Sequence, residues 1–221
     1  MCGRFAFYSP REAVEESFGV EMPFAFEPRY NVAPSQEVAV IRQQANTKPE
    51  TAMLKWGLVP FWAKDAAIGS RMINARAETV AEKPAFRQAF RHRRCVILAD
   101  GFYEWHTEDG RKTPYFISLK TDHPFAMAGL WENWHKNDQP PLETCTIITT
   151  TASRSIGKLH DRMPVIFDSP TTMDWIQPER EPDALIAMLK SCDDREIQAW
   201  SVRRAVNNPA NQGSTLIERA G

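Results

Sequence analysis

Residues 95–105 read Cys-Val-Ile-Leu-Ala-Asp-Gly-Phe-Tyr-Glu-Trp: an apolar run, a turn-forming pair, then an aromatic-rich run. The aliphatic and β-branched stretch from Cys95 to Leu98 suits a buried strand, and Asp100-Gly101 suits a change of chain direction. Working outward, the segments Glu37 to Ile41, Ala52 to Trp56, Tyr115 to Leu119, Phe125 to Leu130 and Thr144 to Thr150 have the same character and are bounded by turn-forming residues. Helical signals are fewer. Ser9-Pro10-Arg11-Glu12 offers an N-cap residue, a proline for the first turn and a capping-box Glu, so a short helix should run to about Phe18. Ser169-Pro170 and Glu181-Pro182 open two more, the second continuing as DALIAMLKS with one apolar face. Many strands broken by a few short helices predict an α+β fold, a single domain over residues 1–221 with a curved, barrel-like antiparallel core. The polar stretch from Trp134 to Glu143, with Pro140-Pro141, is read as a surface loop, and the basic run 91–94 as a solvated helix end.

Composition narrows the function classes. The chain has 221 residues, is 43% hydrophobic and 25% charged, and carries 27 Lys and Arg against 28 Asp and Glu, a net charge of -1. A domain of this size folds without disulfide or metal staples. The charge balance gives no global attraction for nucleic acid, so any such contact must rest on a local patch. The four cysteines stand at 2, 95, 145 and 192 with no CxxC spacing, which argues against a disulfide framework and a structural zinc site. No metal or cofactor is expected. The start MCGRFAFYSPRE lacks the basic and apolar regions of a signal peptide, and no apolar run reaches bilayer length. A cytoplasmic protein with free thiols, and no membrane partner, is expected.

Four residues could carry chemistry. Removal of Met1 before a small residue would leave Cys2 with both a thiol and a free α-amine. Both titrate close enough to neutrality to be reactive. A 1,2-aminothiol condenses with an aldehyde, amine first to a Schiff base and then thiol to a five-membered thiazolidine; otherwise Cys2 is a small apolar residue starting a strand. His160, in KLHDRMPVIF, is either a proton donor and acceptor or a packed histidine at a strand entry. Glu104 lies between Phe102, Tyr103 and Trp105 as either a carboxyl desolvated by aromatic walls or an exposed residue on an edge strand. Asn74, in RMINARAET, could hold an amine or an oxyanion, or simply turn the chain. Around these motifs lie Arg4, Arg29, Arg71, Arg76 and Arg162, and a proline-containing loop carries Phe61-Trp62. Guanidiniums on phosphates and rings stacked on unpaired bases hold single strands without reading sequence. The alternative places the two rings in the core.

Taken together, Met1-Cys2-Gly3-Arg4-Phe5, RYNVAPSQ at 29–36, WGLVPFWAKD at 56–65, NARAET at 74–79, CVILADGFYEW at 95–105, HDRMP at 160–164 and VNNPANQGSTLI at 206–217 resemble the SRAP family, the SOS response-associated peptidases or abasic-site-processing proteins. The likeness runs in order along essentially the whole chain. It implies an α+β domain with a positively charged cleft for single-stranded DNA, Met1 removed, and Cys2 crosslinking to the aldehyde of a ring-opened abasic sugar as a thiazolidine that shields the lesion. By the same resemblance Asn74 orients the Cys2 amine, while Glu104 and His160 handle protons. Arg4, Asn31, Arg76 and Arg162 hold phosphates, and Phe61-Trp62 wedge the strand at the lesion. Weak lyase activity and self-removal of Met1, which would account for the peptidase name, are further implications. Three other readings compete: an N-terminal-nucleophile amidotransferase acylated at Cys2, a non-covalent single-strand-binding module in which Cys2 is incidental, and a peptidase acting on other proteins, suggested only by the family's name.

Overall fold

A computed structural model describes residues 2–121, 123–136 and 140–220. Met1, which the reading of Cys2 expects to be removed, lies outside the described residues. All six expected strands form, most of them longer than the sequence signals. They are β3 (Glu37–Arg42), β4 (Glu50–Trp56), β6 (Arg94–Ala99), β8 (Arg111–Leu119), β9 (Phe125–Trp134) and β10 (Leu142–Thr151). Five of these pair in a ring: β10 with β4, β4 with β3, β3 with β6, β6 with β9, and β9 back with β10. The barrel is thus closed and has no open edge along this path. Its one departure from an antiparallel core is the β10–β4 seam, which is parallel, with Thr144 opposite Lys55 and Cys145 opposite Trp56. The loop expected over 134–143 is shorter than read, since Trp134 still pairs with Leu142; residues 137–139 lie outside the described residues.

A second sheet, in the order β13 (Ile197–Ser201), β8, β7 (Gly101–Glu108), β1 (Phe5–Phe7) and β2 (Arg29–Val32), lies beside the barrel. The opening motif explains the join. β6 belongs to the barrel and β7 to the second sheet, so Asp100-Gly101 is the corner where the chain changes sheet. The buried Asp100 carboxylate accepts from the Tyr8 and Ser9 amides at 2.6 and 2.8 Å and from Ser9 Oγ at 2.5 Å. Gly101 must be glycine, because a Cβ there would sit 2.1 Å from the Phe116 ring. Phe5 of β1 then packs on Trp56 of β4 with ring centroids 5.3 Å apart, tying the sheet to the barrel.

The helices are α1 (Arg11–Phe18), α2 (Arg87–His92), α3 (Ser169–Ile176) and α4 (Pro182–Met188). Two sequence readings need correction here. Ser9 does not cap α1; its hydroxyl is engaged by Asp100, and Pro10 occupies the cap position. The cap of α3 is Asp168, whose side chain accepts from the Thr171 amide at 2.9 Å, rather than Ser169. The basic run is a solvated helix end only in part: Arg91 and His92 are exposed, whereas Arg94 is buried. α2 stops at His92, and Arg94 is 2% exposed, donating to the carbonyls of Phe90, Arg91, Trp175, Gln177 and Pro178. Its guanidinium gathers the unpaired carbonyls at the ends of α2 and α3, where helix dipoles favour a cation. Burial, with Arg180 nearby, lowers its pKa to about 10. Among the described residues no helix is long and apolar enough to cross a membrane.

Candidate active site

The expected residues come from four strand ends. β10 changes partners along its length: beyond the β4 seam it pairs in parallel with β5 (Asn74–Arg76), and beyond β9 it pairs antiparallel with β11 (Arg162–Pro164). This splitting brings Asn74, Arg76 and Arg162 to the C-terminal end of one strand. Arg76 lies opposite Thr149, and Arg162 opposite Thr151. Cys2 precedes β1, which runs antiparallel to β7 with Phe5 opposite Phe102, so the chain start is directed along the Tyr103–Trp105 end of β7; the Tyr103 amide donates to the Arg4 carbonyl at 2.9 Å.

Cys2 is fully buried, and Asn74 Nδ2 donates to its carbonyl oxygen at 2.8 Å. Asn74 therefore grips the expected residue, but at its carbonyl rather than at the nitrogen it was expected to orient. Asn74 Oδ1 is buried and has no hydrogen-bond partner among the described residues. Burial pushes the Cys2 thiol pKa well up, and the Glu104 carboxylate raises it further, while the Arg4 amide hydrogen bond opposes them. Glu104 is only 3% exposed, which removes the reading of it as a surface residue; β7 lies between β8 and β1 and is no edge strand. Two groups approach His160 Nδ1: the Arg162 amide at 2.9 Å and the Asp161 carboxylate at 2.9 Å. An unprotonated Nδ1 can accept from the amide but cannot also donate to the carboxylate. Asp161 is 84% exposed and solvated, whereas the amide is fixed by strand pairing, so the amide sets the tautomer and Nε2 carries the proton.

The basic residues divide. Arg76 is exposed. Arg4 is half-buried, its Nη1 on Asn31 Oδ1 at 2.7 Å and the Val206 carbonyl at 3.0 Å, and its guanidinium lies 5.9 Å from the Trp105 ring centroid. Burial lowers its pKa. Asn31, expected to touch phosphate, has no exposed surface. Its Nδ2 donates to the carbonyls of Val206, Asn208 and Asn211, so it fastens the 206–211 turn and aims Arg4. Arg162 is held in a two-bond fork by Glu78. Arg29 donates to the Glu37 carbonyl and Gln36 at the start of β3. Phe61 and Trp62 are not core residues: they are 55% and 50% exposed. Gly57 and Gly69 explain the loop that shows them, since a Cβ on Gly57 (φ +130°) would lie 2.7 Å from the Gly69 carbonyl, and one on Gly69 2.5 Å from that of Gly57. Two clefts flank the rings: one of about 400 Å³ beside Trp62 with Arg71 and Lys64, another of about 330 Å³ beside Phe61 with Arg93 and Asn133. A cleft of about 650 Å³ between Phe18, Phe125 and Phe167 is lined by none of the expected residues. Sequence reading missed the parts played by Glu78 and Trp105; NARAET and FYEW contain them, but nothing in the spacing says which neighbour they meet.

All four cysteines are free, and among the described residues no three His, Cys, Asp or Glu side chains stand together as a metal site. The family model described as SOS response associated peptidase (SRAP) matches residues 1–209. The abasic site processing protein YoaM of Bacillus subtilis is 43% identical across 99% of this chain and 98% of its own. The abasic site processing protein YedK of Escherichia coli is 31% identical across 99% of both. A crystal structure of a Bacteroides thetaiotaomicron protein superposes with a TM-score of 0.88 at 26% identity, covering 99% of this chain and all of that one. With the family model spanning nearly the whole chain and these identities over full lengths, the chain belongs to the SRAP family.

Proposed function

We propose that this protein processes abasic sites in single-stranded DNA by bonding to them through Cys2 once Met1 has been removed. The name shared by its relatives supports the lesion, and the observation that carries the chemistry is the seat of Cys2: its carbonyl on Asn74, its thiol beside Glu104. The freed Cys2 amine attacks the C1′ aldehyde of the ring-opened sugar, and water leaves to give a Schiff base. The thiol sulfur then bonds to C1′ and its proton ends on the imine nitrogen, closing a thiazolidine. The overall change is loss of one water. Glu104, whose charge acts on the buried Cys2 thiol, relays its proton as the ring closes. His160, with Nε2 protonated, hydrogen-bonds the ring oxygen and polarises it as the sugar opens. Arg4 and Arg76 hold phosphates; Asn31 positions Arg4, and Phe61 and Trp62 stack against splayed bases. A Schiff base also acidifies the C2′ proton, so β-elimination competes until the thiol closes the ring.

The test separates amine from thiol. Cys2→Ala, with Met1 removed, keeps an α-amine and lacks sulfur; it should give a borohydride-trappable adduct with an abasic oligonucleotide and slow strand nicking, without the stable crosslink. If this variant neither traps nor nicks, the Schiff-base step is wrong. A non-covalent binder would retain full, salt-sensitive DNA affinity and show no band surviving denaturation in any form.

A further inference from the structure

Glu78 has no part in the steps above, although it lies in the NARAET stretch. Its carboxylate receives both terminal nitrogens of Arg162, Nη1 to Oε1 at 2.6 Å and Nη2 to Oε2 at 2.9 Å. Arg162 Nη2 also donates to the Thr149 carbonyl at 2.5 Å, and the same carbonyl accepts the Ala77 amide at 2.9 Å. The Arg162 side chain is only 11% exposed, against 49% for Glu78. Hydrogen bonding to Arg162 holds the Glu78 carboxyl below its usual range, so the fork persists at neutral pH. A half-exposed ion pair contributes little to stability, but a bidentate fork fixes orientation.

What the fork orients is specific. Arg162 donates its main-chain amide to His160 Nδ1 at 2.9 Å, the contact that leaves the proton on Nε2. Four residues before Glu78, Asn74 holds the Cys2 carbonyl. The fork therefore joins the segment carrying Asn74 to the segment carrying His160 across the end of β10. We infer that Glu78 is a positioning residue for the reaction: through Arg162 it fixes the His160 tautomer and the spacing of His160 from Cys2. This rests on the Cys2 chemistry proposed above. It also removes most of Arg162's donors from the phosphates, leaving Arg4 and Arg76 as the principal DNA cations.

The test compares wild type with Glu78→Gln, a substitution of the same shape at a half-exposed position. Two readouts are needed: single-turnover adduct formation with saturating abasic single strand, and the ¹⁵N spectrum of the His160 ring in the DNA-free protein. The variant's rate at saturation should fall about tenfold. Its affinity for an intact strand of the same sequence should be no weaker, since a negative charge has gone. The ring spectrum should pass from an unprotonated Nδ1 to a mixture of tautomers. An unchanged ring spectrum, or a rate deficit that more DNA abolishes, overturns the assignment. If wild type itself forms no adduct, the functional reading fails while the ring spectrum still decides the positioning role.

Discussion

Asn74 meets Cys2 at the carbonyl, and that geometry has a consequence for the freed amine. Holding the carbonyl leaves the nitrogen out of this hydrogen bond and fixes the Cα from which both nitrogen and sulfur project. Asn74→Asp keeps the shape and loses the donor. It should slow adduct formation about tenfold at saturating DNA, the scale of one hydrogen bond lost beside a carboxylate's added charge. Quenched time courses measure this; a wild-type rate would show that the contact is merely structural. At this scale the sequence was informative about residue types and poor about partners. Cys2 could be singled out because position alone gives it two nucleophiles. Asn31 could not be separated from the phosphate ligands, because its burial depends on carbonyls of residues 206–211, some 175 positions away. Glu104 was left open between two environments, and its burial in the folded chain decided it.

Elements show the same division between local and distant causes. The six strands were legible because β-branched and aromatic runs carry their own signal, whereas β5 and β11, three residues each, exist only because β10 offers them a free edge. A helix ending at the basic run was legible, but the cage around Arg94 was not, for a related reason: a basic run at a helix end looks solvated unless the carbonyls of a second helix, 80 residues on, are known to cover it. Arg94→Met should cost about 3 kcal/mol or more in urea unfolding, since five carbonyls lose a charged donor in a dry site. A midpoint within error of wild type would contradict the cage. The 58–65 loop makes the opposite expectation. Phe61→Ala and Trp62→Ala, at exposed positions, should shift stability by less than about 0.5 kcal/mol. Each should nonetheless weaken single-strand binding by about tenfold, within the usual range for loss of one stacking ring. Equal DNA affinity in both variants, by fluorescence anisotropy, would remove the rings from the interface.

For the whole molecule, the arrangement is a closed barrel with a second sheet turned off it at Asp100-Gly101, and the residues proposed to react are drawn from strands of both sheets. Barrel-like α+β architecture was readable from strand density. Closure was not, because the parallel β10–β4 seam joins segments about 90 residues apart and leaves no local mark. With a net charge of -1, the proposed binding rests on the local set of Arg4 and Arg76 with the two rings, not on a general field. The central claim is that one residue supplies both amine and sulfur to one aldehyde. Intact mass spectrometry after mixing the protein, lacking Met1, with a short abasic single strand tests it most directly. The expected product is a single covalent species lighter than the sum of its parts by one water, stable without reductant, and absent when Met1 is retained. A full-mass adduct with no water lost, or equal yield from the Met1-retaining chain, would contradict it.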